Sequence, residues 1–366
     1  MEINHLITTV SRGGAENQLL TLCKEQVKAG NSVNVIYLKG NPDLELKFQF
    51  AGVKIVDEFA NKNPMLQLFQ IRKYFHLKSS ILHCHLPRAE LIGSIAKKNN
   101  VLILSKHNSE PFFPTAPRLV SRFLARFVSR QASACIAISN AVRDYLIDND
   151  ETIHSLQIDV IPYGFDQDFT IDSEVRRALQ MQLPQGSPII GAVGRLAPQK
   201  DYPTLLQAFS SFLIKFPTAH LIILGSGPDY NLLHNLTEKL KVSQNVIFIG
   251  NSNQVSEWMS LFDFFVLPSR YEGFGLVLLE AMQSGIPIIA ANNSAIPEVL
   301  GENYFGLFQT SDVNSLARQL YDFSFLAKRM ESKVLLGQRL EMFRPDVMGA
   351  RIDSVYLRAV SASDNF

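Results

Sequence analysis

The chain has 366 residues, beyond the roughly 250–300 at which a single hydrophobic core stops growing, so two domains are expected. Hydrophobic residues at 46% and charged residues at 19% exclude a largely disordered chain. With 35 Lys and Arg against 34 Asp and Glu, no global field recruits nucleic acid, and no nucleic-acid partner is expected.

Short β-branched runs alternate with amphipathic stretches from the N-terminus onward, the pattern of parallel sheets covered by helices on both faces. The first series of predicted strands is Ile3–Val10, Val33–Leu38, Val53–Val56, Ile81–His85, Val101–Lys106, Cys135–Ser139 and Val160–Pro162. The stretch from Asp166 to Pro188 holds one short helix among Pro184, Gly186 and Pro188 and reads as a connection. A second series follows at Ile189–Val193, His220–Leu224, Val246–Ile249, Phe264–Leu267 and Pro287–Ala290. From about Ser311 to Ala362 the pattern is helical, with a break near Arg344-Pro345.

The fold class expected is therefore α/β, with two Rossmann-like, doubly wound domains. The first covers 1–165 and is completed by a C-terminal helix at about 346–366; the second covers 166–345. Ligands of such sheets bind at the carboxyl ends of the strands, so a shared cleft is where chemistry is sought.

Cys23, Cys84 and Cys135 are far apart and mostly embedded in apolar runs, which predicts buried free thiols. The N-terminus lacks a basic region followed by a long apolar stretch, and no apolar run reaches the ~18 residues of a spanning helix. A cytoplasmic location is the expectation.

Two segments carry chemistry. Phe264–Leu267 runs into Pro268-Ser269-Arg270-Tyr271-Glu272-Gly273-Phe274-Gly275 and then into a helix from Leu276. The glycines allow close backbone approach, and free N–H groups at the helix start suit a phosphate. Glu272 in the loop and Glu280 in the second helical turn can both face one bound molecule; the alternative is a solvated loop charge and a cap. The other segment, Gly194-Arg195-Leu196-Ala197-Pro198-Gln199-Lys200, places two cations after a strand, a pair suited to a diphosphate leaving group or equally to a surface turn.

Together these segments resemble the family 4 retaining glycosyltransferases of GT-B fold, also described as glycosyl transferases group 1. Their hallmarks are a Gly-Arg-Leu…Lys stretch and a Glu-x7-Glu segment. The resemblance extends to Gly13-Gly14-Ala15-Glu16, Gly225-Ser226-Gly227-Pro228, Gly285-Ile286-Pro287-Ile288 and Pro297-Glu298-Val299. It implies that Arg195 and Lys200 grip the donor diphosphate, that Glu280 holds the ribose, and that Glu272 lies near the transferred sugar. Leu276 and Val277 would present amides to the phosphates behind Gly273, Phe274 and Gly275, with Gly13, Gly14, Gly194 and Gly225 completing the donor site. The sequence departs from the family pattern at Asp201, where Gly is frequent, and at Tyr163, where Asn is common.

His107 ends a predicted strand, and the resemblance puts a histidine there close to the sugar; the alternative is a hydrogen-bonded structural residue. His85 and Asn108 are acceptor-side candidates, with acceptor choice expected in loops such as Arg88 to Leu91 and Asn108 to Arg118. His83-Cys84-His85 lacks the spacing of a zinc site, and the family needs no Asp-x-Asp metal motif. No metal and no cofactor are expected, the nucleotide sugar being a substrate. Retention and attack on the face vacated by the leaving group are implied by the resemblance.

Arg118, Arg122, Arg126 and Arg130 recur every four residues beside Leu119, Phe123, Leu124 and Phe127. Such a helix can lie on an anionic membrane, or can turn its apolar stripe to the core and its charges to water. Pro111-Phe112-Phe113-Pro114 before it is a candidate mobile loop. The leading expectation is transfer of a hexosyl or N-acetylhexosaminyl unit, from a UDP-sugar rather than a GDP-sugar, to a glycan or lipid-linked acceptor in cell-surface polysaccharide or glycolipid synthesis. A sugar-nucleotide 2-epimerase and a noncatalytic sugar-nucleotide-binding protein are the alternatives.

Overall fold

A computed structural model describes residues 1–11, 13–76, 80–166 and 171–363. The chain divides into two compact units, Met1–Asp166 with Phe343–Phe366, and Gln167–Met342. Residues 167–170 of the expected connection and 364–366 of the expected C-terminal helix lie outside the described residues.

In the first unit the strands are β1 (Glu2–Ile7), β2 (Ser32–Tyr37), β3 (Lys54–Val56), β4 (Ile81–His85), β5 (Val101–Lys106), β6 (Ala134–Ala137) and β7 (Ile158–Val160). They form one parallel sheet in the order β3-β2-β1-β4-β5-β6-β7. Strand order reverses between β1 and β4, so the carboxyl ends of these two strands, with β5 next to β4, border the switch point where such sheets bind ligands. The helix Pro345–Ser363 returns to this sheet, packing Met348, Ile352, Val355 and Tyr356 on Ile3, Ile81, Val101 and Ile103.

In the second unit β8 (Ile189–Val193), β9 (His220–Leu224), β10 (Val246–Gly250), β11 (Phe264–Leu267), β12 (Ile288–Ala291) and β13 (Leu307–Phe308) are also parallel, in the order β10-β9-β8-β11-β12-β13. Strand β13 has only two residues at the sheet edge, too few for a hydrophobic period, and the sequence reading lacks it. The helical C-terminal region is divided into Val313–Asp322, Leu326–Leu340 and Pro345–Ser363, with a break after Asp322 as well as before Pro345.

The three cysteines are buried and free. Among the described residues no helix is long and apolar enough to cross a membrane.

Central strands of a parallel sheet are covered on both faces, which limits side-chain size where a helix or loop ring sits directly on the backbone. At Gly191 in β8 an added Cβ would stand 1.9 Å from the ring of Phe262. Gly191→Ala is expected to destabilise by about 1–3 kcal/mol through this overpacking, read as a lower urea midpoint at unchanged slope.

Candidate active site

In the second unit the carboxyl ends of β8, β9 and β11 bring three loops together. Gly194 ends β8 at φ 155° and Gly225 ends β9 at φ 134°, conformations that favour glycine. A Cβ on Gly225 would lie 2.0 Å from the Gly194 carbonyl oxygen, and one on Gly227 would lie 2.2 Å from that of Leu196. The two loops therefore pack backbone on backbone, with Leu196 N–H donating to Ser226 O at 3.0 Å.

Lys200 follows in a short 3-10 turn, and its Nζ lies 2.5 Å from Glu272 Oε1. The same oxygen accepts from Ser269 Oγ at 2.6 Å, and the Glu272 N–H donates to Ser294 Oγ at 2.7 Å. Arg195 is exposed and forms no ion pair among the described residues. Of the two predicted cations, then, one is held by a carboxylate and the other is free.

Asp201 occupies the left-handed region at φ 49°, where glycine has the lowest strain. Its buried carboxylate accepts from Thr204 Oγ1 at 3.0 Å, Ser311 Oγ at 2.6 Å and Arg270 Nη2 at 3.2 Å. Those bonds offset the backbone strain of a non-glycine residue. They also tie the Lys200 turn to the Arg270 loop, as do Arg270 N–H to Gln199 O at 2.8 Å and Gln199 Nε2 to Tyr271 O at 2.9 Å.

The helix Leu276–Gln283 begins at Gly275, φ 87°, and no side chain caps its first turn. Uncapped N–H groups and the positive end of the helix dipole favour an anion at Leu276 and Val277. Phe274 is buried and anchors the loop, while Gly273 is half-buried. Glu280 in this helix is half-buried, and its side chain has no hydrogen bond or ion pair among the described residues. Burial raises its carboxyl above the usual range. A carboxylate left without donors in such a place suits a ligand bearing hydroxyls.

In the first unit the helix Gly14–Lys28 starts at Gly13. A Cβ on Gly13 would stand 2.3 Å from Glu16 Oε2, so this glycine makes room for the carboxylate that folds back over the helix start. Glu16 also accepts from Thr9 Oγ1. Gly14 is the first residue of the helix.

His85 ends β4 and His107 follows β5. His85 Nδ1 lies 3.1 Å from His107 Nε2, and His107 Nδ1 is hydrogen-bonded to the Tyr163 hydroxyl. Neither ring nitrogen of His107 is left unengaged, and burial lowers its pKa to about 3. Leu86, directly after His85, is held at φ 71° and ψ 147°, a strained conformation for a non-glycine residue at the elbow into helix Pro87–Ala96. Arg88 to Leu91 belong to that helix rather than to a loop. Asn108 is exposed, with Nδ2 3.4 Å from Glu110 Oε2.

The segment after Asn108 is bonded to the rest of its unit at two places. Phe112 is buried, its N–H donates to Glu151 Oε1 at 3.1 Å, and the Phe113 N–H donates to Ser121 Oγ at 2.9 Å. The helix Arg118–Gln131 turns Leu124 and Phe127 to the core and Leu119, Val120 and Phe123 to solvent. Arg118 donates to Asn149 Oδ1 at 2.8 Å, Arg122 and Arg126 pair with Asp150, and Arg130 is exposed. Leu119 and Phe123 are 79% and 65% exposed, while Leu124 and Phe127 pack against the core. The outward face mixes these apolar side chains with Arg118, Arg122 and Arg130.

His5 was not singled out from the sequence. It lies in β1 in register with His83 in β4, and its Nδ1 is 3.0 Å from His85 Nε2. A polar residue within a strand predicted to be buried on both faces was the available signal.

Residues 178–329 match the family described as Glycosyl transferases group 1, and residues 12–169 match Glycosyltransferase Family 4. The chain belongs to the family 4 glycosyltransferases. It is 29% identical over 269 residues to the sulfoquinovosyl transferase SQD2 of Arabidopsis thaliana, covering 68% of this chain and 51% of that protein. It is also 29% identical to the GDP-mannose-dependent alpha-(1-6)-phosphatidylinositol monomannoside mannosyltransferase of Mycobacterium tuberculosis, covering 60% of this chain and 58% of the relative. The chain thus spans about half the length of these relatives. Among solved structures, HepE of Anabaena in complex with UDP-glucose matches with a TM-score of 0.82 at 22% identity, over 98% of this chain and 100% of that one. The fold of this glycosyltransferase family member is GT-B.

Burial lowers the pKa of His5 to about 4 and that of His107 to about 3, from an ordinary 6.5, because the charged rings would lose their hydration. Below pH 6.5 the unfolded chain takes up protons that the folded one refuses, so stability falls as pH drops through this window. The expected loss is up to about 1.4 kcal/mol per pH unit for each such histidine. Urea midpoints between pH 7 and 5 should show it, with a shallower slope in His5→Asn; an equal slope in that variant excludes this imidazole as the cause.

Proposed function

We propose that this protein is a retaining glycosyltransferase that moves a hexosyl or N-acetylhexosaminyl unit from a nucleoside diphosphate sugar to a glycan or lipid-linked acceptor. The observation that carries this reading is the second unit's pairing of an uncapped helix start at Leu276 with the unpartnered Glu280 carboxylate. An anion and a polyol are the complementary halves of a nucleotide sugar. Arg195 and Lys200 add positive charge near the same strand ends.

In this mechanism the donor bond between C1 and the diphosphate oxygen breaks, and the acceptor oxygen bonds to C1 on the vacated face. The acceptor's proton passes to a diphosphate oxygen, and the nucleoside diphosphate departs. Arg195 would stabilise the charge developing on the leaving group, and Lys200 would do so while exchanging part of its interaction with Glu272 for phosphate. The leaving group supplies the base, so no protein carboxylate needs to become a nucleophile. His107, with both nitrogens engaged, serves position rather than proton transfer.

UDP-sugars are favoured as donors because the full-length structural match to HepE is with a protein bound to UDP-glucose, whereas the GDP-mannose-dependent relative matches over 60% of this chain. That relative's name, a phosphatidylinositol monomannoside mannosyltransferase, supports a lipid-linked acceptor and a role in glycolipid or surface-polysaccharide synthesis on the cytoplasmic face of a membrane. Exposed Leu119, Val120 and Phe123, flanked by Arg118, Arg122 and Arg130, form a surface suited to an anionic bilayer.

A panel of uridine, guanosine and adenosine diphosphate sugars should raise the melting temperature for one base, and Lys200→Ala or Glu280→Ala should abolish that rise. Transfer by Lys200→Ala should fall at least ~100-fold. An undiminished thermal shift means the donor site is wrongly placed, and epimerised donor formed without acceptor establishes the 2-epimerase alternative. In flotation with phosphatidylglycerol vesicles the protein should rise with the lipid, and Leu119→Ser with Phe123→Ser should remove it from the lipid fraction. Flotation unchanged by replacing all four arginines with glutamine defeats the electrostatic part of the membrane reading.

A further inference from the structure

The first unit contains a continuous chain of seven side-chain hydrogen bonds, Tyr163–His107–His85–His5–Gln26–Tyr356–His83–Ser105. It begins at Tyr163, reaches the strand-end residue His107, crosses β5, β4 and β1 on one face of the sheet, passes through helix Gly14–Lys28 at Gln26 and reaches the C-terminal helix at Tyr356. It then returns to β4 at His83 and ends on Ser105 in β5. His5, His83 and His85 are buried, and burial lowers the pKa of each, so all three rings are neutral.

A neutral imidazole has one donor nitrogen and one acceptor nitrogen, so in a chain of such rings the role of one nitrogen dictates that of the next. Gln26 is the member with chemically distinct ends. Its Oε1, 2.8 Å from His5 Nε2, can only accept, and its Nε2 donates to the Tyr356 hydroxyl at 3.1 Å. His5 therefore carries its proton on Nε2 and accepts at Nδ1 from His85 Nε2–H. His85 in turn accepts at Nδ1 from His107 Nε2–H, and His107 Nδ1 accepts from Tyr163. On the other side, the Tyr356 hydroxyl donates to His83 Nδ1 at 2.6 Å, and His83 Nε2–H donates to Ser105 Oγ at 2.8 Å. Every bond closes with one donor and one acceptor. Reversing the Gln26 amide would reverse all of them at once, so the rings change together or not at all.

The same three rings have the composition of a metal trio, with ligand-capable nitrogens of His5, His83 and His85 within 4.8 Å of one another. All six of their nitrogens are in the hydrogen bonds just described, and a cation would break the chain to bind. The relay accounts for these histidines without one.

We infer that Gln26 is a positioning residue whose amide orientation sets the tautomers of His5, His83, His85 and His107 in concert, all protonated on Nε2. Through that chain it fixes the ring of His107 at the end of β5. The inference rests on the transferase reading only in treating His107 as a residue of the active site, and the tautomers are measured without donor or acceptor, so the two can fail separately.

The test is selective 15N-histidine labelling of the full chain, with long-range 15N–1H correlation spectra assigned by single histidine substitutions. The expected result is a protonated Nε2 and an unprotonated Nδ1 at all four rings; a protonated Nδ1 at any of them overturns the inference. In Gln26→Met, which removes the acceptor but keeps length, Nδ1–H signals should appear together at His5, His85 and His107. A folded Gln26→Met protein in which His107 keeps its wild-type signature overturns it. Should that variant fail to fold, Tyr163→Phe decides the matter from the opposite end. His107 should remain protonated on Nε2, whereas a switch to Nδ1–H would show that Tyr163 sets the direction.

Discussion

Water has no access to the central strands of a parallel sheet covered by helices on both faces, so each polar group placed there must find its partner inside the protein. In the first unit β1, β4 and β5 carry Asn4, His5, His83, His85 and Ser105 into that environment. A lone buried imidazole costs free energy on the order of a lost hydrogen bond or more. Joined end to end, the same rings satisfy one another and need only a hydroxyl or amide at each end. Tyr356 supplies one such group from the C-terminal helix, so the last segment of the chain contributes polar closure as well as apolar cover. The histidines therefore act as structural groups along most of the chain, and only His107 reaches the strand end where chemistry is expected.

The second unit obeys the same constraint with a different outcome. Its strands are apolar nearly throughout, and its polar groups gather in the loops beyond β8, β9 and β11. There Lys200 and Glu272 neutralise each other at 2.5 Å with side chains mostly out of solvent. A partly desolvated ion pair of this kind contributes less to stability than its geometry suggests, because both ions have lost hydration. Its better use is to hold a lysine in place with a charge that phosphate oxygens can take over. Glu280 stands apart with a raised pKa and no side-chain partner among the described residues, and the strain-bearing Asp201 ties the Lys200 turn to the Arg270 loop. Under the proposed function, these two carboxylates, one paired and one not among the described residues, suit a ligand with both hydroxyls and negative charge.

Much of this fold was legible in the sequence because β-branched runs such as Val101–Lys106 and Ile189–Val193 are bounded by helical periodicity. The two-residue strand Leu307–Phe308 was not, since a period of two needs more than two residues to be seen. That Gly194, Lys200, Gly225 and Glu272 gather beyond strand ends was legible through their spacing after a strand, whereas His5 was masked by the apolar run around it. No local pattern links a histidine in β1 to Gln26 and Tyr356, which are 21 and 351 positions away in the chain. The basic helix illustrates a different limit. A four-residue repeat of arginine places charges on one face of a helix, but whether that face meets water, lipid or Asp150 depends on the corner at 149–150, and the sequence carries no signal for that docking.

The two departures from the family pattern follow from these constraints. Tyr163 puts a hydroxyl, where the family commonly has asparagine, against Nδ1 of His107, and its ring lies beside the imidazole with centroids 5.8 Å apart. A longer side chain reaches the end of the histidine chain and closes it within the protein. Asp201 replaces the frequent glycine in a left-handed turn and keeps the turn by accepting three hydrogen bonds, which a glycine could not do. At Asp201 a side chain replaces backbone freedom with specific polar bonds beside Lys200, and at Tyr163 a longer polar side chain reaches His107. The bonds of Asp201 tie down the Lys200 turn in one unit and the Tyr163 hydroxyl engages His107 in the other, so a variant that restores the family residue at either position removes a polar contact beside a candidate site residue that it does not itself replace.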